Sequence, residues 1–318
     1  MTDIQKLAVD LSAAIRELVL PQLGKSAARA HAGTAVGGDV TFGIDEEAEA
    51  LLVSYLQDSG LDVAMYSEDK GLIECGEPEY VLIVDPVDGT RPAAAGLECA
   101  MVSIAVARYT ETPTMGDVVF GCLREIKNGT LFTSSRGQGV DIVSAAGVPV
   151  PVALSRNTDL SQLFWTIGFR GRPARALIET LGDLVDLSST GGAVFDLGSA
   201  TFSITRILTG QLDAYVDIGP RMIEDVPEVK PFFEKVGRGA ILNNSPHDLA
   251  AAGIICAEGG VIFGDGRGRP LDRRLLLGSD YSFQMSCVAA ANRELFDSIV
   301  AVIDEGIIKL REAFGKDC

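Results

Sequence analysis

Asp85 and Asp88 stand three residues apart in the stretch 80–90, which reads YVLIVDPVDGT. Two carboxylates ~4 Å apart in a partly shielded site repel by about 4 kcal/mol. A cation between them, or a proton on one of them, relieves that repulsion. Gly89 and Thr90 follow directly. Glycine lets backbone come close to a ligand, and the exposed amides of such a turn hold an anion. A cation position and an anion position on one bend point to chemistry on a negatively charged substrate. A plainer reading competes with this one: an Asp-Pro turn after a strand, with Asp85 capping and Asp88-Gly89 supplying the reversal.

Other acids stand where an apolar element begins or ends. Glu68 follows a strand-like run, Asp45 opens an apolar-periodic helix with Thr41 before it, and Asp248 opens an Ala-rich helix. Each also has an ordinary structural use, Asp45 and Asp248 as helix N-caps and Glu68 as a solvated strand end.

The elements that must position these acids are legible from periodicity. Ile4, Leu7, Leu11, Ile15 and Leu18 recur at helical spacing, so the chain opens with an amphipathic helix. Small residues and glycines over 32–43 read as a mobile loop. A helix over 45–57 and a strand over 61–67 lead to the apolar run 81–84. That run fits a strand buried on both faces and ending at Asp85-Pro86, because proline cannot donate to a ladder. β-rich runs over 99–109, 116–126 and 130–134 predict an antiparallel meander. Beyond residue 150 strands and helices alternate. Strands are expected over 163–169, 212–217 and 282–289, and helices over 173–185, 198–208, 247–258 and 292–314. Residues 219–245 read as an insertion or lid. The expected division is an α+β domain over 1–150 carrying the Asp85 turn and an α/β domain over 151–318 contributing Asp248.

The 318 residues are 47% apolar and 22% charged, ample for a core. A formal charge of −17 and a pI near 4.5 argue against a nucleic-acid or anionic-membrane partner. The six cysteines form no CxxC pair and several lie in apolar runs, which suits reduced thiols in a soluble, cytoplasmic protein. No secretory signal is legible, because charges interrupt the first twenty residues.

In order along the chain, VTFGID (40–45), SED (67–69), DPVDGT (85–90), GSAT (198–201), LDAY (212–215) and HDLAAAGIICAEGG (247–260) resemble the motifs of the inositol monophosphatase superfamily of metal-dependent phosphatases. The resemblance implies that family's layered αβαβα sugar-phosphatase fold, of α/β (α+β) class. It implies two or three Mg²⁺ ions bound by the side chains of Glu68, Asp85, Asp88 and Asp248 and by the carbonyl of Val87. Asp88, Gly89 and Thr90 would contact the phosphate. Glu68 and a Thr90–Asp45 pair would orient a water for attack on phosphorus. Gly198, Ser199 and Ala200 would line the pocket for the rest of the substrate, and Asp217 would meet substrate hydroxyls. The implied partners are a small phosphorylated substrate and a second copy of the chain in a homodimer. Inositol 1-phosphate, fructose 1,6-bisphosphate and 3′-phosphoadenosine 5′-phosphate are all substrates within the family, and the first two are favoured because no aromatic platform for adenine is legible. The sequence also departs from the pattern. Arg91-Pro92 replaces the usual Asn and aromatic, leaving Arg91 to meet either a second anionic group or solvent, and His247 stands where Trp is common.

Three rivals fare worse. Haloacid dehalogenase-type phosphatases need two aspartates two residues apart. Gly137-Gln138-Gly139 lacks the third glycine and the helix of a dinucleotide site. A catalytically silent metal- or phosphate-binding module would be expected to have lost Thr90, Asp45 or Glu68.

Overall fold

Residues 1–26, 31–34 and 40–315 are described by the computed structural model, with backbone alone for 31, 32, 34 and 40–42. The opening periodicity forms α1 (Asp3–Val19). Within the stretch expected as a loop, β1 (His31–Thr34) and β2 (Val40–Phe42) pair antiparallel, while 35–39 lie outside the described residues. Then come α2 (Gly43–Asp58), β3 (Val63–Ser67), β4 (Gly71–Cys75), β5 (Tyr80–Asp88) and α3 (Thr90–Ala95). A meander of β6 (Met101–Arg108), β7 (Val118–Glu125), β8 (Leu131–Ser135) and β9 (Val140–Val143) closes this half. The second half runs β10 (Phe164–Ile167), α4 (Ala174–Ser188), β11 (Ala193–Phe195), α5 (Ala200–Leu208), β12 (Ala214–Asp217), α6 (Gly219–Asp225) and α7 (Lys230–Val236). It ends with α8 (Pro246–Gly259), β13 (Ile262–Gly264), β14 (Cys287–Ala290) and α9 (Arg293–Phe314).

Two sheets result. The larger has the order β4-β3-β5-β6-β7-β8-β9, antiparallel except for the parallel pair β3–β5. The smaller has the order β11-β10-β12-β14-β13 and is mixed. Strand alternation sorts the apolar residues into layers. On β5, Leu82 and Val84 face Leu11, Ile15, Ala48 and Leu52 of α1 and α2, whereas Val81 and Ile83 face the core between the sheets. That middle layer is built by α5 and α8, both from the second half of the chain. A Cβ at Gly121 would lie 2.7 Å from Ile254 and 2.8 Å from the Ala251 carbonyl, so only glycine lets α8 sit this close to β7. On the far side, α4 and α9 cover β10, β12 and β14. The order helix, sheet, helix, sheet, helix is the layered αβαβα architecture expected.

Two further expectations need correction. Residues 219–245 are no lid: Met222, Ile223, Val226, Val229, Phe233 and Ile241 are buried in the outer core with α4 and α9. Their apolar positions are interrupted by prolines and charges, which hid the short helices. The strand ending expected at Asp85-Pro86 instead runs to Asp88. The ladder to β6 shifts register between Asp85 and Asp88, so Pro86 falls in a bulge where no amide donor is required. Among the described residues no helix is long and apolar enough to cross a membrane, and Cys122, Cys256 and Cys287 are free and buried.

Candidate active site

The bulge in β5 aims two acids toward one cavity. Asp85 accepts a hydrogen bond from the Val87 amide at 2.9 Å. Gly89 then turns the chain with φ +93°, and a Cβ there would lie 2.4 Å from the Cys99 carbonyl oxygen and 2.9 Å from Ser199. Glycine is therefore required twice over, by the left-handed backbone and by the space. Thr90 starts α3 with its hydroxyl 3.1 Å from both Asp45 Oδ1 and the Val87 carbonyl. The single hydroxyl proton can serve only one of these acceptors at a time.

Asp88 rests on the N-terminus of α5. Its carboxylate accepts from Ser199 Oγ at 2.7 Å, from the amides of Ala200 and Thr201 at 3.3 and 2.7 Å, and from the Thr201 hydroxyl. Free amides and the helix dipole suit an anion there. Glu68 reaches the same end of the sheet because β3 runs parallel to β5. Its turn is held by Glu49, which accepts from Ser67 Oγ at 2.8 Å and the Asp69 amide at 3.3 Å. Asp248 lies in the first turn of α8 and accepts from the Ser245 amide at 2.5 Å. It is the third residue of that helix, in a capping box with Ser245, and not the N-cap.

Carboxylate oxygens of Asp85, Asp88 and Asp248 lie within 4.8 Å of one another. Glu68, Asp85 and an imidazole nitrogen of His247 form a second such group, so Asp85 is common to both. Asp85 and Asp88 are only 4% and 6% exposed. Burial pushes the Asp85 carboxyl well above its usual range, and the charges of Glu68, Asp88 and Asp248 push it further. Asp88 is pushed up to about 6, by burial first and then by Asp248, against the pull of its hydrogen bonds from Thr201 and Ser199. Acids packed this way suit small, hard divalent cations, which offset the shared negative charge and take oxygen ligands. The residues present fit a hard divalent ion at the all-carboxylate position and a divalent ion that accepts one nitrogen donor at the other. Glu68, Asp85, Val87, Asp88, Gly89, Thr90 and Asp248 all border one cavity of about 330 Å³, joined by Arg91, Arg170, Asp196, Gly198, Asn243 and Gln284.

The family model described as the inositol monophosphatase family matches residues 1–307. The chain belongs to that family. It is thereby a phosphoric monoester hydrolase, and the resemblance read from the motifs holds over nearly the whole length. The fructose-1,6-bisphosphatase/inositol-1-monophosphatase of Methanothermobacter thermautotrophicus is 25% identical, with 94% of this chain and 95% of the relative covered. Nus factor SuhB of Vibrio cholerae is 26% identical, over 80% of this chain and 79% of the relative. Among solved structures, Thermotoga maritima IMPase superimposes with a TM-score of 0.69 at 19% identity, covering 97% of this chain and all of the other. That likeness carries the fold.

Three residues of this inositol monophosphatase family member border a small cavity that shares Asp88, Arg170, Asp196, Gly198 and Asp248 with the main one. Ser199 and Ala200 are turned onto Asp88 and border the smaller cavity, whereas Gly198 borders both. Asp217 is 1% exposed and sits beside that smaller cavity, of about 50 Å³. Its carboxylate is taken up by Arg172, through Nε at 3.1 Å and through Nη2, with the Gly219 amide at 3.3 Å. Thr201, Glu49 and Arg172 hold the buried acids Asp88 and Asp217 and the Glu68 turn without a role assigned from the sequence. Only Thr201 left a signal, as the last letter of GSAT; Glu49 is one more acid on an amphipathic helix, and Arg172 pairs across forty-five residues.

Proposed function

We propose that this chain is a Mg²⁺-dependent phosphomonoesterase that hydrolyses a small sugar or inositol phosphate by direct attack of water. The observation that carries this reading is Asp85, buried and common to two acid groups on one cavity. Divalent cations bound there supply Lewis acidity toward phosphoryl oxygens and lower the pKa of water. The rest is work for the protein's own groups. The main-chain amides of Gly89 and Thr90 are assigned to the phosphoryl oxygens. Thr90 donates its proton to Asp45, which leaves its hydroxyl oxygen to accept from the attacking water, with Glu68 as a second acceptor. Asp248 would hold a cation on the leaving side, whose positive charge offsets the developing alkoxide while solvent water supplies its proton. Water adds to phosphorus in line as the ester P–O bond breaks, releasing the alcohol and inorganic phosphate with no phosphoenzyme. The buried, reduced thiols agree with a cytoplasmic setting.

Arg91 and Arg170 both border the cavity, which favours a second reading within the same class: a bisphosphate such as fructose 1,6-bisphosphate. Phosphate release from inositol 1-phosphate, fructose 1,6-bisphosphate, 3′-phosphoadenosine 5′-phosphate and NADP, each measured as kcat/KM, tests both readings. The NADP arm answers to a Methanocaldococcus jannaschii relative called bifunctional NADP phosphatase/NAD kinase, 22% identical over 93% of this chain and 50% of its own length. Activity should vanish in EDTA and return with Mg²⁺. Turnover of no phosphate ester while Mg²⁺ is bound would leave the silent module in possession.

A further inference from the structure

His247 is second in α8, immediately before Asp248 and behind Pro246. It is 4% exposed, yet it borders the main cavity. Its carbonyl accepts a hydrogen bond from Ser103 Oγ at 3.1 Å, which ties the start of α8 to β6. Its ring lies between the two acid groups. One ring nitrogen is within 4.8 Å of oxygens of both Glu68 and Asp85, and Nε2 is 3.8 Å from Asp248 Oδ2. Ligands of one small divalent ion sit roughly 3–4 Å apart, so modest side-chain rotation closes this group onto an ion.

The residue type changes the chemistry. An indole, common at this place in the family's motif, has one nitrogen, which is a donor only; an imidazole offers a lone pair. We propose that His247 supplies a nitrogen ligand to the cation at the Glu68–Asp85 position, so that this position prefers Mn²⁺ or Co²⁺ to Mg²⁺ while the Asp85–Asp88–Asp248 position stays all-oxygen. Mg²⁺ favours oxygen and water and holds its hydration tightly, whereas the first-row transition ions accept a nitrogen donor more readily, Co²⁺ more strongly than Mn²⁺. The inference rests on the reading that the two acid groups hold divalent cations.

Pulsed electron paramagnetic resonance of the full chain, stripped with EDTA and given one equivalent of Mn²⁺, reads the ligand directly. Hyperfine coupling to ¹⁴N is expected. The chain has two histidines, so the coupling should survive His31→Gln and disappear in His247→Gln. By calorimetric titration, His247→Gln should weaken Mn²⁺ binding on the order of tenfold and Mg²⁺ binding about twofold or less. Bound Mn²⁺ without nitrogen coupling in the parent protein overturns the inference and leaves the Mg²⁺ phosphatase reading standing; His247 would then be a polar spacer beside Asp248. Failure to bind either metal overturns both. The parent spectrum decides even where the variant folds poorly.

Discussion

Asp88 and Asp217 invite comparison because each closes a strand, β5 or β12, and each is almost wholly buried. Burial raises the carboxyl pKa of both, and their charged neighbours differ in sign. Beside Asp217 stands Arg172, whose guanidinium offsets the carboxylate within the protein. Beside Asp88 stands Asp248, which adds to its charge, and the groups that hold Asp88 are neutral hydroxyls and amides. A buried acid with an internal counter-charge is complete in itself. One whose nearest charge is another acid leaves negative potential in the cavity for an ion from solution. Position at a strand end therefore says little about role; the sign of the nearest buried charge says more.

Paired substitutions test the contrast. Asp88→Asn should lower kcat/KM by roughly a hundredfold or more, while the metal-free protein at pH 8 melts no lower than the parent, since a repelled charge has been removed. A variant with near-normal turnover would break the comparison at its functional end. Asp217→Asn should do the reverse. Leaving Arg172 buried without its partner should cost about 3–5 kcal/mol in urea unfolding, with Mg²⁺ affinity changed little. If Asp217→Asn weakens Mg²⁺ binding as much as Asp88→Asn does, the two aspartates are not different in kind.

Glu49 sharpens the same comparison as a third buried acid, with hydrogen-bond donors but neither a strong counter-charge nor a place in the two acid groups. Burial raises its pKa from 4.5 to about 7, against the pull of its bonds from Ser67 and Asp69. Between those values the folded chain keeps a proton that the unfolded chain has released, so stability falls as pH rises through the window. Glu49→Gln abolishes that titration. Its advantage over the parent should grow from near zero at about pH 4.5 to roughly 3 kcal/mol at pH 8. Unfolding curves at a series of pH values check it, and a gap that does not change with pH would show that Glu49 is charged in the fold.

The elements easiest to read were those whose periodicity packing later used. α1 and α9 follow their apolar stripes, and the run 81–84 is buried on both faces because helices cover both sides of its sheet. Short pieces escaped. β4 alternates between half-buried and exposed positions at a sheet edge, and β11 has three residues; neither carries enough apolar signal to stand out. Pro86 misled because a proline normally ends a ladder, whereas here the bulge removes the need for its missing donor.

What the sequence determined by itself was local. The spacing of Asp85, Asp88, Gly89 and Thr90, the proline that admits a bulge and the glycine that admits a positive φ are all properties of neighbouring residues. Folding decided which distant charges meet. Laying β3 parallel to β5 brings Glu68 to the Asp85 end, setting α5 and α8 between the sheets brings Ser199, Thr201, His247 and Asp248 there, and Arg172 reaches Asp217 from a separate loop. Coulomb energy depends on distance in space and on the surrounding dielectric, and neither can be read from separation along a chain.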